Sequence, residues 1–238
     1  MKINVYAAYS HVLEKDTKDA TAIIVDTLRA TSTMITALYH GCAQIIPAGD
    51  VDDVMQIARS LGSHAVLGGE RDSNLIPGFD LSNSPLEYNR DKLEGKSLVM
   101  TTSNGTAAIT QSKNARHVLI GALINDAAVA RRAVELGLNT TIVCAGNDGK
   151  MSLEDLVTAG AIVVLMEGML EQTPELDDMA KVARTLYGLC AQDIVGFLRG
   201  SRHYEVLVEN GWEQDIAYCC QQGVIELVPV YAEGIISV

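Results

Sequence analysis

Aromatic residues are scarce in this sequence, which has one Trp and two Phe among 238 residues. The hydrophobic core must therefore be built mainly from Ala, Val, Ile and Leu. Such residues are typical of parallel strands that helices cover on both faces. Hydrophobic residues still make up 48% of the chain, close to the average for globular proteins, which argues against a disordered chain.

A cysteine framework and a long apolar run are also missing. The five cysteines are odd in number and show no CxxC spacing, so neither a disulfide framework nor a zinc site is predicted. No apolar stretch approaches the roughly 20 residues that cross a bilayer, and no long apolar segment follows Met1. We therefore expect a cytoplasmic, reduced protein that has no membrane partner.

Basic residues are in the minority, with 18 Lys and Arg against 30 Asp and Glu and a formal net charge of -12. A diffuse negative field repels phosphate backbones, so we expect no nucleic-acid partner. The surplus of acid is most simply explained by solubility. An anionic substrate would need Arg side chains and a cation gathered at its binding site.

Short apolar segments alternate with helical patterns along most of the chain. The predicted strands are 21–25, 44–46, 65–67, 97–100, 117–120 and 141–144, and the predicted helices are 32–39, 51–61, 105–111, 126–136 and one from near Ser152. This alternation predicts βαβ units in a largely parallel sheet with helices on both faces, a three-layer α/β/α fold. Right-handed crossovers bring the carboxyl ends of such strands to one edge, where ligands bind.

The rest of the chain is less regular. A mostly helical pattern runs from 153 to 218, interrupted at Pro174 and resuming over 181–197, and 224–230 and 235–238 predict strands. The stretch 68–85 is too long for an ordinary connection, and such loops are often functional. We expect one α/β unit over 1–238, with 145–155 as the place where two subdomains would divide. A homo-oligomer is expected from base rates alone.

Polar residues gather after four of the predicted strands. After the first lie Asp26, Arg29 and the hydroxyl residues Thr31, Ser32 and Thr33, where a helix begins. A helix N-terminus receives phosphate well, and an arginine adds a bidentate contact to an oxyanion. In the simpler alternative, the hydroxyl side chains only cap the helix.

Two further groups of polar residues follow the predicted strands 65–67 and 97–100. Glu70 and Arg71 come after two glycines that allow close backbone approach, although a solvated surface turn is the alternative. The turn after 97–100 is rich in hydrogen-bond donors, which predicts either a second anion-binding site or a capped helix. Its candidate residues are Ser103, Asn104, Gly105 and Thr106. It lacks the P-loop and GxGxxG patterns.

The last group combines Cys144, at the end of a strand, with Glu154 and Asp155 in the first turn of a helix. Acidic residues there favour the helix dipole, which is the simpler explanation. The alternative is a magnesium site, because Mg²⁺ prefers carboxylate oxygens and retains several waters. Asn83 and Ser84 in the long loop are ordinary turn formers that could also line a ligand pocket.

Four sequence segments resemble motifs of the 2-phosphosulfolactate phosphatase family and occur in the same order: 26–33, 68–71, 78–85 and 101–106. Residues 144–146 with 154–155 match a further block, and the C-terminal block is represented by Ser201, His203, Leu207, Gly211 and Asp215. The resemblance implies Mg²⁺-dependent hydrolysis of 2-phosphosulfolactate to 3-sulfolactate and phosphate, a step of coenzyme M synthesis. The implied partner is a small phosphorylated and sulfonated acid.

Roles for the candidate residues follow as hypotheses. Asp26, Glu70, Glu154 and Asp155 would hold Mg²⁺, directly or through water. Arg29, Arg71 and the helix starts at 31–33 or 104–106 would bind the phosphate and the sulfonate, and Asn83 and Ser84 would orient the carboxylate or hydroxyl.

The attacking group and the acid are left open. A metal-bound water, Asp26 and Cys144 are candidate nucleophiles, although a free Cys is more often a small buried apolar residue. His203 would protonate the leaving oxygen, or would be only a capping or core-edge histidine. Alternative functions are a phosphatase of another small phosphorylated hydroxy acid, a non-catalytic anion-binding α/β domain, and a structural subunit.

Overall fold

A computed structural model describes all residues of the chain, 1–238. Eleven strands and ten helices form the fold. The strands are β1 Lys2–Tyr6, β2 Thr21–Val25, β3 Gln44–Pro47, β4 Ala65–Arg71, β5 Asn74–Leu75, β6 Ser97–Thr101, β7 His117–Gly121, β8 Thr140–Cys144, β9 Glu175–Leu176, β10 Val230–Ala232 and β11 Ile235–Ser237. The helices are α1 Ala30–Tyr39, α2 Val51–Leu61, α3 Arg90–Leu93, α4 Gly105–Gln111, α5 Asp126–Leu136, α6 Leu153–Met169, α7 Asp178–Cys190, α8 Ile194–Leu198, α9 Arg202–Glu209 and α10 Glu213–Cys219. None of these helices is long and apolar enough to cross a membrane.

The strands form one mixed sheet in the order β5-β4-β6-β3-β11-β10-β7-β2-β8-β1-β9. The β4–β6, β6–β3, β7–β2, β2–β8, β8–β1 and β1–β9 pairs are parallel. The C-terminal β10–β11 hairpin is antiparallel to both of its neighbours and joins the two parallel parts. The prediction of a largely parallel α/β sheet is confirmed.

Strand β2 shows why the fold has three layers. Its five residues are all buried, and their side chains alternate between the two faces of the sheet. Ile23 and Val25 pack in a cluster with residues of α5, α6 and α7, whereas Ala22 and Ile24 pack with residues of α1 and α4. Burial on both faces explains the continuous apolar run in the sequence. Helices therefore cover both faces, as predicted.

Two predictions for the C-terminal third were wrong. Of the segment 224–230, only Val230 lies in a strand, because Pro229 cannot donate to a ladder and Ile225 donates its backbone N–H to Ile124. The continuous helix over 181–197 is instead divided into α7 and α8. The second begins where the Asp193 carboxylate accepts the Gly196 backbone N–H at 2.8 Å. The short strands β5 and β9 were not predicted.

The fold brings several polar turns together. Strands β4 and β6 are parallel to each other, and so are β2 and β8, so within each parallel part of the sheet the segments that follow these strands leave at one edge. The antiparallel hairpin between the two parts reverses the strand direction, so the two sets of turns are not brought together by parallel pairing alone. They meet where Gly105, after β6, lies against Asp26, after β2. These segments carry most of the candidate residues, and helices α9 and α10 pack beside them in a cluster that also includes Leu28 and Leu123.

Candidate functional site

A cavity of about 210 Å³ opens where these turns meet, and we call it the edge cavity. Of the fourteen residues that line it, only Leu28 and Val206 are hydrophobic. The predicted residues that line it are Asp26, Arg29, Glu70, Asn83, Ser103, Asn104 and His203. Four strand ends, the long loop and helix α9 thus converge on one polar space.

The turn between β2 and α1 holds Asp26 at the cavity wall. The Asp26 carboxylate is 9% exposed, and its Oδ1 accepts the backbone N–H of Ala30 at 3.3 Å. Burial raises the pKa of Asp26 to about 6; His203 opposes this rise, and the negative charges of Glu70 and Glu154 add to it. Asp26 is therefore a carboxylate at neutral pH with a higher proton affinity than usual.

The three hydroxyl residues after Arg29 brace this turn. Thr31 donates its hydroxyl to the Asp26 backbone carbonyl at 2.9 Å, and Ser32 donates to that of Thr27 at 2.8 Å. Thr33 donates to the Asn83 carbonyl at 2.8 Å, which fixes the long loop against α1. All three are fully buried and do not line the edge cavity. These hydroxyl groups therefore stabilise the backbone around the site and do not face a ligand in the edge cavity.

Arg29 is buried at the cavity wall, with 2% of its side chain exposed. Its guanidinium donates from Nη1 to Asp215 Oδ2 and from Nη2 to the Ser73 carbonyl at 2.9 Å. It also lies over the Trp212 ring, 4.8 Å from the ring centre. The other Asp215 oxygen accepts the Ser84 hydroxyl at 2.7 Å. Ser84 therefore contacts Asp215 and does not line the cavity.

Glu70 ties two of the converging turns together. Its Oε1 accepts the Ser103 backbone N–H at 2.8 Å, and its Oε2 accepts that of Ser73 at 3.0 Å. The Ser103 hydroxyl adds a contact of 3.3 Å. Both carboxylate oxygens are thus occupied by protein donors. Glu70 holds the β4 and β6 ends in register at the cavity.

Arg71 faces a second cavity, of about 440 Å³, which we call the side cavity. Its guanidinium donates to the Glu70 carbonyl at 2.8 Å and to Thr101 Oγ1 at 3.0 Å. Thr106 also lines the side cavity, and Ser103 borders both cavities. The two predicted anion-binding arginines therefore do not share one cavity.

The start of α4 lies close against the Asp26 turn. A Cβ atom at Gly105 would lie 2.7 Å from Ala30 Cβ and 2.9 Å from Asp26 Oδ2. Only glycine allows this approach without a shift of its neighbours. Gly105 therefore acts through spacing, and Thr106 and Thr102 bond to each other within the turn.

Asp155 and Glu154 begin α6 and have different surroundings. Asp155 accepts the Thr27 N–H at 2.9 Å and the Gly146 N–H at 3.0 Å, so it links the ends of β2 and β8. Burial raises its pKa well above the usual value, and the charges of Asp26 and Glu154 add to this. Glu154 Oε1 lies 2.9 Å from His203 Nδ1.

The neighbours of His203 favour the protonated form of its imidazole. Burial lowers its pKa, but the hydrogen bond with Glu154 and the charges of Glu154 and Asp26 outweigh burial, so the net pKa is raised. A protonated imidazole at the cavity wall can donate a proton to a bound ligand. The edge cavity thus contains a proton donor, His203, and a carboxylate, Asp26.

Cys144 lies apart from this chemistry. It is fully buried, in the same hydrophobic cluster as Ile142 and residues of α5 and α6, and it does not line the edge cavity. Burial raises the pKa of its thiol well above the usual value. This setting is that of a small apolar core residue.

The four predicted metal ligands are not equivalent. The structure contains no group of three or more His, Cys, Asp or Glu side chains arranged to hold a metal ion. Glu70 and Asp155 use both oxygens for backbone N–H groups, whereas Asp26 and Glu154 each use only one. Proteins usually hold Mg²⁺ through one or two carboxylates, waters and substrate phosphates. Asp26 and Glu154 each keep one oxygen without a protein donor, and of the two only Asp26 lines the edge cavity; Glu70 and Asp155 brace the site.

Some residues of the site were missed from the sequence. Asp215 was noted only as part of a C-terminal block, and Trp212 was not noted. Arg202 and Asp148 form an exposed ion pair of 2.8 Å at the cavity rim. The polar turn at 147–149 and the position of Arg202 next to His203 were the only local signals for this pair.

The fold and the edge cavity define an α/β protein with an acid- and arginine-lined site at the carboxyl ends of parallel strands, a setting suited to small phosphorylated ligands. A family model described as 2-phosphosulpholactate phosphatase matches residues 6–234. The chain belongs to this family, as its motifs predicted.

Bacterial relatives resemble this chain along nearly its whole length. A protein of Clostridium acetobutylicum named "Probable 2-phosphosulfolactate phosphatase" is 40% identical over 98% of this chain and 99% of its own length. Proteins of the same name from Clostridium novyi and Caldanaerobacter subterraneus subsp. tengcongensis are 39% and 36% identical. They cover 97% and 99% of this chain, and the matches span 97% and 98% of their own lengths.

Proposed function

We propose that this protein hydrolyses the phosphate ester of 2-phosphosulfolactate to 3-sulfolactate and phosphate, as a phosphoric monoester hydrolase. The observation that carries the proposal is the edge cavity, in which Asp26, Arg29 and His203 meet. These side chains supply a carboxylate, a fixed cation and a proton donor, which are the groups that phosphoryl transfer requires. The family membership of the whole chain supports the same substrate.

Binding of the phosphate is assigned to Arg29. Two of the five N–H groups of its guanidinium are used by Asp215 and Ser73, which leaves three without a protein acceptor. Asn83 is 4% exposed, lines the cavity, and its Oδ1 has no protein partner. This oxygen is an acceptor and is suited to the hydroxyl group that hydrolysis frees in the product.

Asp26 can act on the phosphate ester by either of two routes. As a nucleophile, it forms an acyl phosphate that water then hydrolyses. As a base, it takes a proton from the attacking water. Its position at the cavity wall serves both routes. His203 then donates its proton to the leaving ester oxygen.

The proposal includes Mg²⁺, held by Asp26 and Glu154. Such an ion would neutralise phosphate charge next to an acidic protein surface. The negative charges of Glu70 and Glu154 act on Asp26, and this gathering of carboxylates supports a cation here.

The biological setting is proposed on similar grounds. The resemblance implies that the reaction serves coenzyme M synthesis. Action in the reducing cytoplasm is supported by the five cysteines, which are all free and buried. A second candidate substrate is another small phosphorylated hydroxy acid, which the modest cavity volume of about 210 Å³ favours over any large ester.

Phosphate release from 2-phosphosulfolactate tests the proposal, with Mg²⁺ and again after EDTA treatment. A parallel series of phosphorylated hydroxy acids without a sulfonate measures specificity. Metal-dependent release with a preference for the sulfonated ester is expected. Release only from the other esters would favour the second substrate class. No release, combined with stabilisation by phosphate, would favour a non-catalytic anion-binding domain.

A further inference from the structure

We infer that Asp215 is a positioning residue that sets the orientation of Arg29 in the edge cavity, with Ser84 and Trp212 as its supports. The inference rests on the proposed function, because it assigns Arg29 to the phosphate. Asp215 does not line the cavity itself. Its direct contact with a residue of the cavity wall is the ion pair with Arg29.

The ion pair between Arg29 and Asp215 is buried, with 2% of each side chain exposed. Both charges have left water, and such a pair persists when its geometry is good and its remaining donors and acceptors are satisfied. Asp215 meets this condition, because Ser84 donates to its second oxygen at 2.7 Å. The carboxylate is thus fixed from two sides and cannot rotate with the arginine.

The guanidinium is restrained on its face as well as at its edge. Trp212 lies on the same C-terminal segment as Asp215 and covers the guanidinium at 4.8 Å from the ring centre. The Ser73 carbonyl accepts a third contact, from Nη2, at 2.9 Å. An arginine fixed in this way loses little side-chain entropy when it binds an oxyanion. Orientation of the free N–H groups is therefore what α10 contributes.

The charge of Asp215 has a consequence that separates it from a general packing residue. It neutralises Arg29, so the arginine recognises the phosphate by direction more than by net charge. Asp215→Asn keeps an acceptor for Nη1 and removes the opposing charge. This variant should bind phosphate at least as tightly as the wild type, whereas Asp215→Ala should bind more weakly because the guanidinium is released.

The test is a double-mutant cycle on kcat and KM with 2-phosphosulfolactate, using Arg29→Ala, Asp215→Ala and the double variant. We expect Asp215→Ala to lower kcat/KM by about 10- to 100-fold, and the double variant to be no worse than Arg29→Ala alone. Asp215→Asn should restore kcat to within about 3-fold of the wild type. Glu213→Ala, an exposed position on the same helix, is the matched control and should behave as the wild type.

Losses that multiply in the double variant would overturn the inference, and so would wild-type kcat/KM in a folded Asp215→Ala protein. If Asp215→Ala does not fold, Ser84→Ala takes its place in the cycle, with a smaller expected loss of about 3- to 10-fold. If the wild type releases no phosphate from 2-phosphosulfolactate, the proposed substrate is wrong. Calorimetric affinity for inorganic phosphate across the same cycle then decides the positioning role, with the same pattern expected and additivity again overturning it.

Discussion

His203 Nδ1 lies 2.9 Å from Glu154 Oε1, and this contact joins the helix α9 to the start of α6 at the wall of the edge cavity. The carboxylate is 2% exposed, so its charge acts on the imidazole with little screening by water. The pair fixes the ring and favours its protonated form. A proton donor is thereby held in a site that also contains Asp26.

If His203 protonates the leaving oxygen, its importance should depend on the leaving group. His203→Gln should lower kcat for 2-phosphosulfolactate by about 10²- to 10⁴-fold. The loss should be much smaller with an aryl phosphate, whose phenolate leaves without a proton. Steady-state kinetics on both substrates makes the comparison. Equal losses on the two would assign His203 to binding or folding instead.

Gly105 should be required for the close contact between α4 and the Asp26 turn. Gly105→Ala places a methyl group 2.7 Å from Ala30 Cβ, so we expect a loss of about 1–3 kcal/mol in unfolding free energy and a lower kcat. Gly188→Ala is the matched control, because a Cβ atom there meets nothing within 4 Å in helix α7. It should be neutral or stabilising by up to about 1 kcal/mol. Urea unfolding measures both, and equal stability of the two variants would contradict this account.

Asp126, at the start of α5, should make stability depend on pH. Burial raises its pKa from 3.8 to about 6, against the opposing effect of its contacts with the Ala127 and Gly223 N–H groups. The folded state therefore binds this proton more tightly than the unfolded state. Its contribution to the unfolding free energy is present below about pH 4 and is lost as pH rises to about 6.

Asp126→Asn removes this titration and keeps an acceptor for the backbone. At pH 7.5 the variant should be more stable than the wild type by about 1–3 kcal/mol, and at pH 4 it should show little difference. Denaturant unfolding at the two pH values measures this. A variant that is less stable at pH 7.5 would show that the carboxylate charge is stabilised by the fold.

Cys144 should be dispensable for turnover. Its thiol is buried in the core, so Cys144→Ala should keep kcat within about 2-fold and lose roughly 1 kcal/mol of stability through a small cavity. Kinetics and thermal unfolding of the variant check both statements. Loss of all turnover in a protein that still folds would restore Cys144 as a candidate nucleophile.

Much of the fold was readable because its signals are local. Helix α5 ends at Leu136 followed by Gly137 in the left-handed conformation, and α2 begins after Asp50, whose side chain accepts the Asp53 N–H. Such caps and apolar periods are visible in a few residues. The β10–β11 hairpin was harder to predict in place, because its insertion between β3 and β7 depends on pairing over a long sequence distance.

The candidate site was likewise predictable where its signals are local and unpredictable where they depend on distant residues. Asp26 with Arg29, and separately Glu70, could be expected at the carboxyl ends of parallel strands. That these two groups meet could not be expected, because the β10–β11 hairpin reverses the strand direction between β4 and β2. The partner of Arg29 could not, since Asp215 is 186 residues away and carries no local pattern. Nor could sequence tell that Thr31, Ser32 and Thr33 donate to backbone carbonyls, because a hydroxyl near a helix start serves either role.

The central claim is that Asp26 reacts with, or activates water against, a phosphate ester in the edge cavity. Phosphate release from 2-phosphosulfolactate by the wild type, by Asp26→Asn and by the exposed control Glu171→Gln tests it most directly. We predict turnover by the wild type and the control, and a loss of at least about 10³-fold in a folded Asp26→Asn protein. Normal turnover by Asp26→Asn would contradict the account.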